Sequence, residues 1–262
     1  MANTVYSNFV LASEYKSILS TKVNARTFMT VDTNLEANPG MIKKINKYTY
    51  SGEIEKLAKG AKNTASKRGS ITVASTDYTV QVNQQVFDYA DEDVMADPLV
   101  VSMGLQGMAE VTANDFTTAF YTEAAKATLE QEYPKAGLDY DSVVDAISKM
   151  NLEDESQLFL IINPAQKSEI RKDPDFKGAR LGEIVFNGQI GSIAGIPVVV
   201  SKAATTPVLA TKAAVTLFIK KENDIEQDRD KEARTNTIIA RTVYVCALTD
   251  ATKIVKFKKA SA

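Results

Sequence analysis

At 262 residues, with 44 % apolar and 24 % charged side chains and a formal net charge of -2, the chain has the make-up of an ordinary globular protein. The near-neutral balance argues against a dedicated nucleic-acid-binding domain, and the complete absence of histidine excludes histidine triads and histidine-bearing zinc sites. The single cysteine excludes an internal disulfide.

The N-terminus has no basic segment followed by an apolar core, and no run approaches the roughly 20 apolar residues of a membrane span. The expectation is a chain neither exported nor anchored. Residues 1–41 carry Tyr6, Phe9, Leu11, Tyr15, Ile18, Leu19 and Val23, spacing that predicts a short helix near Ser13–Thr21, then a β-prone Thr27–Thr33 and a turn at Asn38-Pro39-Gly40. This arm has too little core of its own. It either completes its own fold or lies along a neighbour.

Lys43–Ser51 and Ile71–Val86 alternate as strands do, with Tyr78, Val80 and Val82 on one face. Between them, Gly52–Ser70 is polar, glycine-bounded and short of large apolar residues, which predicts a hairpin projecting from the body. Charge is distributed unevenly. From Lys43 to Arg68 eight cations (Lys43, Lys44, Lys47, Lys56, Lys59, Lys62, Lys67, Arg68) stand against Glu53 and Glu55, whereas Asp88, Asp91, Glu92, Asp93 and Asp97 form an all-acidic stretch. Carboxylates there favour a helix N-terminus. They are also candidates to meet the basic arm of another subunit, the alternative being a solvated loop beside a capping cluster.

Asp97-Pro98 predicts the start of the longest helix, with Leu99, Met103, Met108, Val111, Phe116, Phe120 and Ala127 in helical spacing to about Glu132. Gly104, Gly107 and Thr112–Asp115 leave one helix or two in line open. Asp139 caps a second amphipathic helix carrying Val143, Val144, Ile147 and Met150.

Leu158–Ile162 is a continuous apolar run bounded by Asn163-Pro164, hence a strand covered on both faces. Asn163 caps a helix with Pro164 at its first position, running to about Lys172. Strands around Gln189–Ile193 and Ile196–Ser201 meet at Gly195, which supplies a tight bend. Ala214–Lys220 is predicted as a strand followed by the polar run Glu222–Arg234. The alternating Thr235–Thr249 and then Lys253–Lys258 read as a closing hairpin. Cys246, inside an apolar stretch, reads as a small buried hydrophobe.

The acids Asp224, Glu226, Asp228 and Asp230 imitate the first positions of a calcium loop, but Arg229 stands where glycine is needed and Thr235 where a bidentate glutamate is needed. The spacing of Gly188, Gly191 and Gly195 precedes a hairpin rather than a helix and cradles no phosphate. No cofactor, metal or catalytic residue is expected.

Phe159-Leu-Ile-Ile-Asn-Pro164 with its helix, Gly191-Ser-Ile-Ala-Gly-Ile-Pro-Val-Val-Val200 and Ala214-Val-Thr-Leu-Phe218 resemble the axial domain of tailed-phage major capsid proteins, the Hong Kong 97-like coat fold. The order of the other segments extends the resemblance over nearly the whole chain. It implies an α+β fold with an N-terminal arm (1–41), an extended hairpin loop (42–90), a peripheral-domain spine-helix region (91–135), a mainly axial domain (136–234) and C-terminal strands tying the two domains together (235–262).

The function implied is a non-enzymatic coat protein whose copies form pentamers and hexamers of an icosahedral phage head around double-stranded DNA, built in the host bacterial cytoplasm. The contact candidates are Lys56, Lys59, Lys62, Lys67, Arg68, Asp88, Asp91, Glu92 and Asp93. The family's fused scaffolding region is not seen, so either a separate scaffolding protein directs assembly or that region has been cut away; the initial Met1 favours the former, and the expected partners are a separate scaffolding protein, a portal and decoration proteins. DNA contact would be nonspecific, with Lys253, Lys256, Lys258 and Lys259 either facing it or merely solubilising. The rivals are an encapsulin-type shell of a bacterial nanocompartment and a small soluble α+β enzyme.

Overall fold

The computed structural model describes residues 8–21, 28–36, 39–174 and 191–260. Helix α1 (Asn8–Thr21) is longer than the sequence predicts, and its Leu11, Tyr15 and Leu19, spaced four apart on one face, are buried. It is fold-completing: Tyr15 Oη lies 2.5 Å from Thr112 Oγ1, and burial raises the phenol's pKa above its usual value. A short strand, β1 (Thr30–Asp32), follows.

Strands β2 (Ile42–Ser51) and β3 (Ser70–Thr79) form a two-stranded antiparallel ribbon. The predicted single strand Ile71–Val86 breaks at Val80, and β4 (Gln81–Ala90) continues in a different sheet. Val80 is the pivot because it sinks into a small cluster with Leu35, Phe218 and Ala247, while its amide bonds to the Met41 carbonyl at 2.8 Å. Periodicity cannot report such a change of sheet, since alternation carries on through it.

Helix α2 (Asp91–Ala96), which the sequence reading missed, takes Asp91, Glu92 and Asp93 of the acidic stretch as its first turn. Helix α3 (Val100–Ala124) is one unbroken 25-residue helix. Its Gly104 lets it close on β4, for a Cβ there would meet the Phe87 ring at 2.4 Å. The helix stops eight residues short of the expected Glu132, and Leu129–Tyr133 is instead a strand, β5. Helix α4 (Tyr140–Met150) starts at Asp139, whose carboxylate accepts from the Ser142 amide at 3.1 Å.

Strand β6 (Leu158–Ile162) is buried on both faces, with Leu158, Leu160 and Ile162 in one core and Phe159 and Ile161 in the other. Helix α5 (Pro164–Lys172) has a capping box, Asn163 and Gln166 each accepting the other's amide at 2.8 Å. Gly188, named with Gly191 and Gly195 in the sequence reading, lies outside the described residues. Strands β7 (Ser192–Ile193) and β8 (Ile196–Val200) turn through Ala194 and Gly195, both at positive φ. The crossover through α5 makes β8 parallel to β6.

Strand β9 (Val208–Thr211), wholly buried, went unread in the sequence because it is only four residues long. Strand β10 (Val215–Asp230) absorbs most of the polar run Glu222–Arg234, which is therefore strand and not loop. It pairs antiparallel with β11 (Thr235–Leu248), whose alternate side chains are buried. The closing strand, β12 (Ile254–Lys259), does not form the expected hairpin with β11. It pairs with β5 and β9.

Two larger sheets result, in the orders β1-β10-β11-β4 and β5-β12-β9-β6-β8-β7. The first packs with α1 and α3 into a core that also takes one face of the second sheet, through Phe159, Ile161, Val208, Ala210 and Ile254. The second sheet's other face closes against α4 and α5. The segment boundaries drawn from sequence therefore shift. β4 leaves the hairpin for the first sheet, β10 leaves the axial segment for the first sheet, and β5 leaves the spine-helix segment for the second.

Candidate subunit-contact surfaces

The ribbon pairs ten residues from Ile42 opposite Thr79 to Ser51 opposite Ser70. Its register sets Tyr48 against Val73 and Tyr50 against Ile71, so one face carries four large side chains, each more than half exposed. At the far end the Tyr50 ring lies over Gly52 and Gly69, where a Cβ on either glycine would collide with it. Beyond them Thr64 donates to Glu55 through both its amide (2.8 Å) and its hydroxyl (2.7 Å), holding that carboxyl below its usual pKa. Ile54 is 97 % exposed and Leu57 joins it at the surface. Burying such a ribbon alone is not possible, since a two-stranded hairpin is marginal in water.

Among the predicted contact cations, Lys56, Lys59, Lys62 and Arg68 are exposed, and Lys67 sits a loose 3.7 Å from Glu53. The acidic stretch divides into two kinds of carboxylate. Asp91 is buried within its own chain, accepting from Arg229 Nη2 at 2.7 Å and Asn236 Nδ2 at 2.8 Å. Asp93 accepts from the Ala90 amide at 2.9 Å, Asp88 from the Thr237 hydroxyl at 2.7 Å, and Glu92 pairs with Arg234 at 3.0 Å. Asp88, Glu92 and Asp93 are nevertheless exposed. No ion pair among the described residues joins the basic set to the acidic set within one chain.

Sequence reasoning missed the apolar part of this surface. Met95 on α2, Leu99 just before α3, Met103 and Val111 on α3, and Val82 and Val86 on β4 are all more than half exposed. A period-2 or period-3.6 pattern marks which residues share a face, not whether that face is covered.

An open cleft of about 550 Å³ lies at the ribbon's root, lined by Asp77, Asp115, Glu123, Lys126 and Tyr244 among others. Asp115 Oδ2 accepts from Tyr244 Oη at 2.6 Å and from Asn83 Nδ2 at 2.7 Å. Burial, reinforced by that carboxylate, pushes the Tyr244 phenol well up. Cys246 is buried, with its thiol pushed up to about 12, chiefly by burial and then by Glu123, so it stays protonated and unreactive at neutral pH. These groups brace α3 against the sheet. The imitation calcium acids lie along β10 with protein partners of their own: Asp224 pairs with Lys221 at 2.6 Å and Glu226 with Arg241 at 2.9 Å, while Asp230 accepts turn amides. Among the described residues no cluster of three or more acids or thiols could hold a metal ion, and no helix is long and apolar enough to cross a membrane.

Comparison with known proteins bears on these surfaces. The family model described as phage capsid protein matches residues 73–257. The major capsid protein of Staphylococcus phage phiMR11 is 27 % identical over 258 residues, covering 96 % of this chain and 93 % of that protein. Among solved structures, the mature capsid of bacteriophage PhiM1 superposes with a TM-score of 0.71 at 13 % identity, covering 100 % of this chain and 91 % of its own. The capsid of cyanophage P-SCSP1u gives 0.69 at 14 % identity, covering 100 % and 92 %.

Proposed function

Since the chain belongs to the phage capsid protein family and is a major capsid protein, a structural subunit of the virion and not an enzyme, we propose that its shell closes through ribbon contacts. In this reading the basic tip of one copy lies on Asp88, Glu92 and Asp93 of the next, with the exposed apolar residues of both surfaces between them. Asp91 drops out of the contact set, because Arg229 and Asn236 already use its carboxylate. The observation that carries the proposal is the ribbon itself: ten paired residues and an apolar face that their own chain leaves in solvent.

Copies linked head to tail through two different patches generate rings, here pentamers and hexamers closing an icosahedral head around double-stranded DNA. A separate scaffolding protein, a portal and decoration proteins complete the set of partners, and assembly takes place in the host bacterial cytoplasm. Contact with DNA is nonspecific and slight. Of the four C-terminal lysines, Lys253 pairs with Asp250 and Lys256 with Glu130, which leaves Lys258 and Lys259 exposed to face it. An encapsulin-type shell is not favoured, because both the family and the curated relative are phage capsid proteins.

Reversing Lys59, Lys62 and Lys67 together to glutamate tests the contact. Subunits stay folded by circular dichroism, whereas shells seen by electron microscopy and sedimentation are lost, more completely at low salt, where repulsion is unscreened. Normal shells from that triple variant would refute the contact. Purified wild-type shells containing a protein cargo and no DNA would refute the phage-head reading of the contents.

A further inference from the structure

We propose that the outward row of α3 is a docking site for a basic amphipathic helix carried by a second protein. The inference goes beyond the ribbon contact and uses another face of the subunit. Asn83, Gln85 and Phe87 of β4 point to α3, at Asp115, Thr112 and Gly104 respectively, so Val82, Val86 and Asp88 lie on the far side of the first sheet. On the near side α3 turns an uncovered apolar row to solvent. It begins at Leu99, just before the helix, which is 63 % exposed, and continues through Met103 at 61 % and Val111 at 55 %. Gly107 completes the four-residue spacing, and a Cβ there would meet nothing within 4 Å. A glycine inside a helix weakens it, and no described residue uses the space this one leaves. A row about 18 Å long, open at its middle, has the shape that accepts the ridge of another helix.

Charge chooses the occupant. From Asp91 to Ala125 the two helices carry seven acids and no lysine or arginine, and Asp97 and Glu110 beside the row are exposed. Such a face repels nucleic acid. A second copy fits poorly as well. Among the described helices, α1, α4 and α5 already bury Leu11, Tyr15, Leu19, Val143, Met150 and Ile170 in their own subunit, and α3 laid on α3 would set acid against acid. The complement is a foreign helix, apolar on one face and flanked by lysine or arginine.

A labelled leucine–lysine peptide of about 18 residues, patterned as an amphipathic helix, is the probe, with its leucine–glutamate twin as control. Fluorescence anisotropy with unassembled subunits gives saturable binding of the first and none of the second. Gly107→Arg, which favours the helix and places a cation in the row, weakens binding at least about tenfold. Ser148→Arg, which adds the same charge on the exposed side of α4, leaves it within about twofold. Circular dichroism checks that both variants are folded, and Met103→Arg replaces Gly107→Arg if that one is not. Equal losses in the two arginine variants would mean adsorption to overall charge and would overturn the proposal, as would binding of the leucine–glutamate peptide or no binding of the leucine–lysine one. Sedimentation showing wild-type subunits that self-associate and Gly107→Arg subunits that do not would give the row to a second copy and overturn it too.

Discussion

Replacing Asp91 and Glu92 one at a time separates folding from assembly within a single acidic stretch. Asp91→Ala removes two charge-assisted hydrogen bonds, from Arg229 at 2.7 Å and Asn236 at 2.8 Å. It also strands a guanidinium whose buried Nε already has no protein partner. Losing one member of a buried pair costs about 3 to 5 kcal/mol. The Arg229 side chain is 30 % exposed, so water recovers part of that and about 2 to 3 kcal/mol remains. Glu92→Ala breaks only the pair with Arg234, whose side chains are 54 % and 67 % exposed, and costs no more than about 0.5 kcal/mol. Urea unfolding of unassembled subunits, followed by circular dichroism, reads both values from midpoints at constant slope. Assembly yield has the opposite ranking relative to stability: Glu92→Ala weakens shell formation without destabilising the subunit. An Asp91→Ala subunit within about 0.5 kcal/mol of wild type would refute the internal role assigned to that carboxylate.

Two further outcomes follow from the packing and the buried thiol. Gly104→Ala forces the Phe87 ring aside and costs about 1 to 3 kcal/mol, whereas Gly107→Ala, with nothing within 4 Å of the new Cβ, gains up to about 1 kcal/mol in the same helix; thermal unfolding giving both the same sign would be inconsistent with the close approach of α3 to β4. For Cys246 the folded thiol titrates at about 12 and the unfolded one at its ordinary lower value, so between the two the unfolded chain holds fewer protons and stability falls as pH rises. The decline approaches about 1.4 kcal/mol per pH unit from this group, and Cys246→Ala removes that share of the slope between pH 9 and 11; an unchanged slope would contradict it.

Local grammar was legible where one residue type satisfies one local need. Asn163 and Pro164 announce the start of α5, Asp139 that of α4, and the apolar Leu158–Ile162 a strand buried on both faces, because caps and double burial leave marks within five or six residues. The illegible features depend on partners distant in sequence. Nothing between Ile71 and Val86 tells that the chain changes sheets at Val80, since the cause is Phe218 and Ala247. Leu129–Tyr133 could extend a helix by its pattern, and is a strand because β12 lies beside it. Glu222–Asp230 looks like a loop by composition and is held extended by thirteen-residue pairing with β11 that starts at Val215. The candidate site divides the same way. The charge asymmetry could be read directly, whereas the commitment of Asp91 to Arg229, 138 positions away, could not.

That division bears on how a nearly neutral chain can recognise its own copies. A net charge of -2 conceals opposite patches, and the fold keeps one acid of the acidic patch, Asp91, for its own Arg229. What stays in solvent is a basic tip on the ribbon and an acidic rim at the start of α2, on separate elements of one subunit. In a two-fold dimer each tip would meet the other copy's rim reciprocally, whereas in a ring each tip meets the rim of the next copy in turn. The angle between the two patches decides which of these arrangements forms. In the head-to-tail reading proposed above, the sign and separation of these exposed charges, more than their number, set whether successive copies close into a ring or run on as a filament.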